Sequence, residues 1–148
     1  MDRNLEQGSL SFAEKISIYV FICLFFYELS RASYWIINPE IAIYDSPLYI
    51  ALNSTAPLWV WGLPFLLCAI CSLMCSITLH RRDIGLAFNV FFLLSGVFGF
   101  ASHLLLSAAS MNNSLNWITP VQNISLAILF LLFTITGIES LWKKITRR

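Results

Sequence analysis

The stretch from residue 57 to residue 109 decides the fold: PLWVWGLPFLLCAICSLMCSITL (57–79), HRRD (80–83) and IGLAFNVFFLLSGVFGFASHLLLSAA (84–109). Each apolar run is longer than the roughly 20 residues that a helix needs to cross a bilayer. The charged connection between them is very short, so the two runs predict a tight antiparallel transmembrane hairpin. Pro64 predicts a kink in the first helix, and Asp83 is the predicted N-cap of the second.

Two more apolar runs flank this hairpin. The first follows Ser11-Phe12-Ala13-Glu14, which reads as a capping box, and it ends before Pro39 because the residue preceding a proline avoids the helical region. The last follows Thr119-Pro120-Val121-Gln122, a second predicted capping box with proline at the first helical position. The sequence therefore predicts an all-α integral membrane four-helix bundle, a single transmembrane domain over residues 1–148, with spans at about 12–37, 57–79, 84–109 and 120–144.

Composition agrees with a membrane chain. Hydrophobic residues make up 58% of the 148 residues and charged residues only 11%, against about 25% charged residues in soluble domains. The mixed charges of residues 1–15 do not resemble a cleavable signal peptide. The net charge of +1 gives no indication of a nucleic-acid partner.

The positive charges predict the orientation. Eight of the nine Lys and Arg residues fall at the ends or in the hairpin connection, and cytoplasmic segments are enriched in such residues. We therefore predict a plasma membrane protein, bacterial or host inner membrane, with both termini in the cytoplasm. The eight residues are Arg3, Lys15, Arg81, Arg82, Lys143, Lys144, Arg147 and Arg148.

The predicted outer loop, residues 38–56, is unusually apolar. Its Asp45-Ser46-Pro47 segment is typical of a helix start. We expect a short helix near Pro47–Leu52 that lies in the membrane interface, with tyrosines at headgroup level.

A few polar residues lie inside the predicted spans. Arg31 is the ninth cation, and Glu28 precedes it by one turn in the first span. His103, Ser102 and Asn123 occur at similar predicted depth in the third and fourth spans. Two central charges nearly cancel the insertion energy of the first span, so partners must stabilise it.

This intramembrane group has two interpretations. In the functional one, it forms a polar pocket that opens outward and binds a proton, an ion or a polar ligand. In the structural one, Glu28 and Arg31 pair at i, i+3, Arg31 extends toward Glu40 or Asp45, and His103 bonds to a serine or a carbonyl. The sequence leaves both open.

Small residues predict close helix contacts. They are Ser95, Gly96, Gly99 and Ser102 in the third span, and Gly137 with Thr134 in the fourth. These contacts are either internal or between subunits. Glu139 and Lys143 are predicted to pair at i, i+4 near the inner end.

Cys68, Cys71 and Cys75 share one face of the second span. A Cys-x-x-Cys pair can be redox active or bind a soft metal, and four-helix quinone-linked disulfide oxidoreductases share the helix count and one such pair. They also carry loop cysteines, which this sequence lacks. We predict packing roles for these cysteines, with no metal site and no cofactor.

Trp61-Gly62 opens one span, His80-Arg81-Arg82 forms a basic hairpin, and a Ser/Gly/Phe-rich span follows up to His103. These features resemble small multi-span proteins of bacteriophages and prophages, often described as holin-like. The resemblance covers Trp61 to Lys144. It implies a viral or mobile-element protein of the host inner membrane.

Three functional hypotheses follow. The first is a non-catalytic protein that acts through helix contacts, either as an accessory subunit that self-associates or binds other membrane subunits, or as a phage-type protein acting on the membrane. The second is a small oligomeric transporter or channel that uses Glu28, Arg31 and His103. The third is a membrane redox enzyme.

Overall fold

The computed structural model describes residues 10–81, 86–113 and 116–146, and within them it contains six α-helices and no strand. Short 3-10 turns at Ile43–Asp45 and Leu79–Arg81 supplement the helices. The helices are α1 (Phe12–Ile37), α2 (Pro39–Ala42), α3 (Pro47–Thr55), α4 (Leu58–Thr78), α5 (Ala87–Asn113) and α6 (Ile118–Thr146).

Among the helices that the structure describes, three are long and apolar enough to cross a membrane. They are α4, α5 and α6, with mean hydropathies of 2.1, 1.9 and 2.1 over their most apolar stretches. Helix α1 has 26 residues but is not among the three; four charged residues lie along it. These helices indicate a membrane protein.

The capping box at the start of α1 is confirmed. The Glu14 N–H donates to Ser11 Oγ at 3.3 Å, and the Ser11 N–H donates to Glu14 Oε2 at 2.8 Å. Both bonds satisfy backbone donors that a helix N-terminus leaves unpaired. The sequence thus predicted the bounds of this helix correctly.

The long helices pack in chain order, with α1 on α4, α4 on α5 and α5 on α6. The α5–α6 pair is antiparallel: Ser140 Oγ donates to Asn89 Oδ1 at 3.1 Å near one end, and Ser107 Oγ donates to the Pro120 carbonyl at 3.0 Å near the other. The backbones of α1 and α6, the first and last helices of this row, lie farther apart than those of the packed pairs, and the two helices meet through side chains such as Arg31 and Asn123.

The connection between α1 and α4 is more helical than predicted. A helix begins at Pro47 as expected, where Ser46 Oγ accepts the Leu48 N–H at 3.3 Å, but it continues to Thr55. Its Leu48 and Leu52 side chains are buried against the long helices. Trp61 Nε1 donates to the Leu52 carbonyl at 3.2 Å. These contacts hold the connection on the bundle.

Two predicted boundaries were wrong. Helix α5 continues to Asn113, four residues beyond the predicted end of the span at residue 109. Helix α6 begins at Ile118, so Thr119 lies inside it and is not its N-cap. The Thr119 N–H instead donates to Asn116 Oδ1 at 3.3 Å. Pro120 is tolerated there because the first three N–H groups of a helix lack intrahelical partners.

Smaller corrections concern the predicted hairpin of α4 and α5. Pro57 is the N-cap of α4 and not its first helical residue, and the Leu58 N–H donates to Asn53 Oδ1 at 3.0 Å. The predicted Asp83 cap lies outside the described residues.

The small residues lie at contacts within the chain. A Cβ atom added at Gly96 would lie 2.6 Å from the Thr134 backbone nitrogen, and one at Gly137 would lie 3.0 Å from Leu93 Cα. Gly99 faces Phe130 in the same α5–α6 interface. Ser95 faces α4 instead, with its Oγ 2.8 Å from Ser72 Oγ. Close approach of the backbones therefore holds α5 and α6 together.

Candidate functional site: a buried polar cluster

The structure brings four of the five predicted intramembrane polar residues together. Glu28 and Arg31 come from α1, His103 from α5 and Asn123 from α6, and we call these residues the polar cluster. Glu28 and His103 are 0% exposed and Asn123 is 2% exposed, whereas Arg31 is half-buried. The cluster therefore joins three helices in the interior.

The contacts form a chain of hydrogen bonds. Glu28 Oε1 lies 2.9 Å from His103 Nε2, and His103 Nδ1 lies 3.0 Å from Asn123 Oδ1. Arg31 Nη1 donates to the same Asn123 oxygen at 3.1 Å. Arg31 Nη2 also donates to the Tyr27 hydroxyl at 3.1 Å.

Hydrogen-bond chemistry fixes the orientation of the Asn123 amide. A guanidinium can only donate, so the Asn123 atom that faces Arg31 must be the oxygen. The amide nitrogen independently donates to the Thr119 carbonyl at 2.9 Å. Since the oxygen also faces His103 Nδ1, that ring nitrogen must carry a hydrogen.

This orientation determines what the Glu28–His103 pair can do. With Nδ1 protonated, the 2.9 Å contact between Nε2 and Oε1 holds a single hydrogen. Either an imidazolium donates to a carboxylate, or a neutral carboxylic acid donates to a neutral imidazole. Both states have the same total charge, so the proton can move within the pair without changing the charge buried in the bundle.

Aromatic rings surround the histidine. The Phe130 ring stacks on His103 at 5.6 Å between centroids, and the Phe65 ring meets it edge-on at 5.4 Å. Tyr27 stacks at 6.1 Å. The Arg31 guanidinium lies 5.4 Å from the centroids of both Tyr27 and Phe65. Ring faces stabilise nearby cations, so the Tyr27 and Phe65 rings favour the position of the Arg31 guanidinium.

Two buried polar atoms have no hydrogen-bond partner among the described residues: Glu28 Oε2 and Trp35 Nε1. Buried polar groups are nearly always paired, and an unpaired one costs about 1–3 kcal/mol. The second oxygen of Glu28 is thus the one open acceptor position of the polar cluster in the described part of the chain.

Several sequence predictions about this cluster were wrong. Glu28 pairs with His103 and not with Arg31 at i, i+3. Arg31 does not reach Asp45, which instead bonds to the Tyr34 hydroxyl. Ser102 stays outside the cluster, because its hydroxyl donates to the Phe98 carbonyl at 2.6 Å. Glu28 and His103 are both wholly buried, so neither side chain is exposed to an open pocket.

Ser102 instead borders a separate cavity of about 80 Å³ near Trp35 and Trp61. The cavity has an almost entirely apolar lining. It is far smaller than the 300–1,000 Å³ of ordinary ligand sites, so we assign it no role.

No hydrogen bond joins the α4 cysteines to the polar cluster among the described residues. Cys68 and Cys75 are 0% exposed, and the Cys68 thiol contacts the Ser95 carbonyl at 3.5 Å. All three cysteines of the predicted face are buried as free thiols. They fill space in the helix contacts as small apolar side chains do.

No protein-family profile matches the sequence, and no characterised protein or solved structure is significantly similar to it. The fold and the polar cluster define the class of the protein: an all-helical membrane protein with a buried acid–base pair.

Proposed function

We propose that the chain crosses the plasma membrane four times, with α1 as the fourth span and both termini in the cytoplasm. Helix α1 has 26 residues, which at about 1.5 Å per residue makes it roughly 39 Å long, enough for a bilayer. It packs along α4. Its buried Glu28 is paired with His103, and such pairing is how ionisable residues are accommodated in membranes.

Within that membrane we infer a non-catalytic role through helix contacts, as an accessory subunit or a phage-type membrane-acting protein. The observation that carries this proposal is the wholly buried Glu28–His103 contact at 2.9 Å. It ties α1 to the α5–α6 hairpin and leaves neither side chain accessible to a substrate. A closed pair of this kind is suited to locking helices together.

The surface of α6 suits a partner helix. Only 17% of its most apolar stretch is buried inside the chain. Exposed apolar residues recur on it at alternating intervals of three and four, the spacing by which helices interlock. They are Val121, Ile124, Ile128, Leu131, Ile135 and Ile138. A partner helix or a second copy of the chain would pack along this stripe.

The test is purification from native membranes in digitonin, with native mass spectrometry to count subunits. We expect a stoichiometric complex that Ile128→Trp/Ile135→Trp disrupts. The matched control is Ile70→Trp/Ile77→Trp on α4, which has the same seven-residue spacing and similar exposure. A monomer bound only to lipid, or equal disruption by both pairs, would contradict the contact role of α6.

A second candidate is a small transporter or channel. It is favoured by the open acceptor position on Glu28 Oε2 and by the single hydrogen that the Glu28–His103 pair shares. Alternating between the two proton positions, or accepting a second proton, would couple the pair to a transported ion.

Glu28→Gln separates the two candidates. In proteoliposomes with a pH gradient, transport predicts proton or substrate flux in the native chain and its loss in a Glu28→Gln protein that remains folded. If the native chain carries no flux, and Glu28→Gln weakens folding and complex formation instead, the contact role stands.

A further inference from the structure

A large cavity lies at the end of the bundle where α1 begins and α6 ends. Its volume is about 770 Å³, within the range of ordinary ligand sites. It occupies the space between α1 and α6, whose backbones lie farther apart than those of the packed pairs. Helix α5 contributes its inner wall.

The wall changes character with depth. Lys143 and Lys144 lie at the mouth, near the end of α6. About one turn deeper, Ser140 Oγ donates to Asn89 Oδ1 at 3.1 Å, and both residues line the cavity. Ser17 and Thr136 add hydroxyl groups to this middle level.

The inner end is closed by aromatic rings. Phe21 of α1, Phe92 of α5 and Phe133 of α6 meet there, with ring centroids 4.9 to 6.0 Å apart. Positive charge, then hydroxyl and amide groups, then an apolar floor follow one another along the cavity. Phosphate, glycerol ester and acyl chain follow one another in the same order along a phospholipid.

We propose that this cavity binds one anionic phospholipid of the inner leaflet. The phosphate lies against Lys143 and Lys144, the ester groups against Asn89 and Ser140, and an acyl chain reaches the aromatic floor. The gap between α1 and α6 gives the lipid a lateral route from the bilayer. Binding at the cytoplasmic leaflet rests on the four-span orientation proposed above.

Charge complementarity supports this occupant over a neutral one. Lys143 pairs with Glu139 at 3.7 Å, but both side chains are more than 60% exposed. Exposed pairs of this kind contribute only about 0–1 kcal/mol, so a phosphate can compete for the lysine. Lys15 and Lys144 add positive charge at the same end of the bundle. The acidic residues of the described chain at this end are Glu139 and Glu14.

The experiment titrates the full-length protein in dodecyl maltoside with phosphatidylglycerol or with phosphatidylcholine of the same acyl chains, and counts bound lipid by native mass spectrometry. We expect one phosphatidylglycerol to bind at least about tenfold more tightly than phosphatidylcholine, because each lysine near an anionic headgroup strengthens binding several-fold. Inorganic phosphate at the same concentration should not displace the lipid.

Two kinds of variant locate the site. Lys143→Ala/Lys144→Ala should weaken phosphatidylglycerol binding at least about tenfold, while Lys143→Arg/Lys144→Arg should retain it. Arg147→Ala/Arg148→Ala removes the same charge from the segment beyond the described residues and should have a smaller effect. Thr136→Trp should fill the cavity and abolish binding, whereas Val90→Trp on α5, an exposed position that does not line the cavity, should leave it intact.

Equal binding of phosphatidylglycerol and phosphatidylcholine would overturn the proposal. Equal loss of phosphatidylglycerol binding in Lys143→Ala/Lys144→Ala and in Arg147→Ala/Arg148→Ala would also overturn it, because it would show a non-specific attraction to the positive tail. Displacement by a second copy of the chain, seen as a lipid-free dimer, would also overturn it. Topology labelling separates this result from the orientation: selective binding with the termini outside the cell would retain the site but move it to the other leaflet.

Discussion

Glu28 Oε1 and His103 Nε2 lie 2.9 Å apart although 75 residues separate them along the chain, and neither side chain is exposed. This contact joins α1, which carries four charges, to the apolar hairpin of α5 and α6. A buried ionisable group without a partner would strongly oppose insertion of α1. In the proposed four-span arrangement, the pairing would couple the insertion of α1 to the assembly of α5 and α6.

We expect Glu28→Met and His103→Phe to destabilise the protein individually by about 3–5 kcal/mol, because each leaves one buried ionisable group without its partner. The double variant should be more stable than either single variant, since two apolar groups of similar size leave nothing unpaired on that contact. Unfolding in dodecyl maltoside with increasing dodecyl sulfate measures all three.

The control for this cycle is Glu139→Gln, which breaks the exposed pair with Lys143. It should change stability by less than about 1 kcal/mol. Additive effects of the two buried substitutions would show that Glu28 and His103 act independently, and that the contact does not hold α1 in place.

The glycines of the α5–α6 contact should differ in their tolerance of alanine. A Cβ at Gly96 would lie 2.6 Å from the backbone nitrogen of Thr134, which cannot move without shifting the helix. We expect Gly96→Ala to destabilise by about 1–3 kcal/mol. At Gly137 the closest atom is 3.0 Å away, so the loss should be smaller and partly offset by the helix propensity of alanine.

The same unfolding titration measures both glycine variants. Equal and small effects at Gly96 and Gly137 would indicate that α5 and α6 adjust their separation freely. The close contact would then contribute little to the stability of the hairpin.

Hydrophobic length and capping residues predicted the helices well because both signals are local. Ser11 with Glu14 marked the start of α1, and Ser46-Pro47 marked the start of α3. The end of α5 was missed because Asn112 and Asn113 are polar yet remain helical. Polarity marks where a span leaves lipid, whereas a helix can continue into water.

The partners of the polar residues could not be read from the sequence. Arg31 lies one turn from Glu28, so sequence spacing favoured that pair, but the rotation of α1 about its axis turns Glu28 toward His103. Apolar residues occur on both the buried and the exposed faces of α1, so its sequence carries little pattern that would fix this rotation. The cavity between α1 and α6 was missed for a related reason, because it depends on which helices are neighbours.

The proposed orientation predicts the labelling of introduced cysteines in intact cells. Ser54→Cys, in α3, should react with a membrane-impermeant maleimide from outside. Ser11→Cys and Thr146→Cys, at opposite ends of the described chain, should react only after permeabilisation. A chain with its four native cysteines replaced supplies the background. Outside labelling at Ser11 with protection at Thr146 would mean that α1 does not cross the bilayer.

The hydrogen on His103 Nδ1 is the most direct chemical prediction of the polar cluster. Asn123 Oδ1 accepts from Arg31 and faces this nitrogen at 3.0 Å, so the ring must donate there in every protonation state of the Glu28–His103 pair. In nitrogen-15 NMR of histidine-labelled protein, Nδ1 should remain protonated as pH changes, and only the Nε2 signal should report the shared hydrogen. The chain has two histidines, so His80→Gln assigns the spectrum. Asn123→Leu removes the acceptor and should let His103 take the other tautomer, with its hydrogen on Nε2 directed at Glu28. An unchanged spectrum in that variant would show that Asn123 does not determine the tautomer, and the single-hydrogen description of the pair would fail with it.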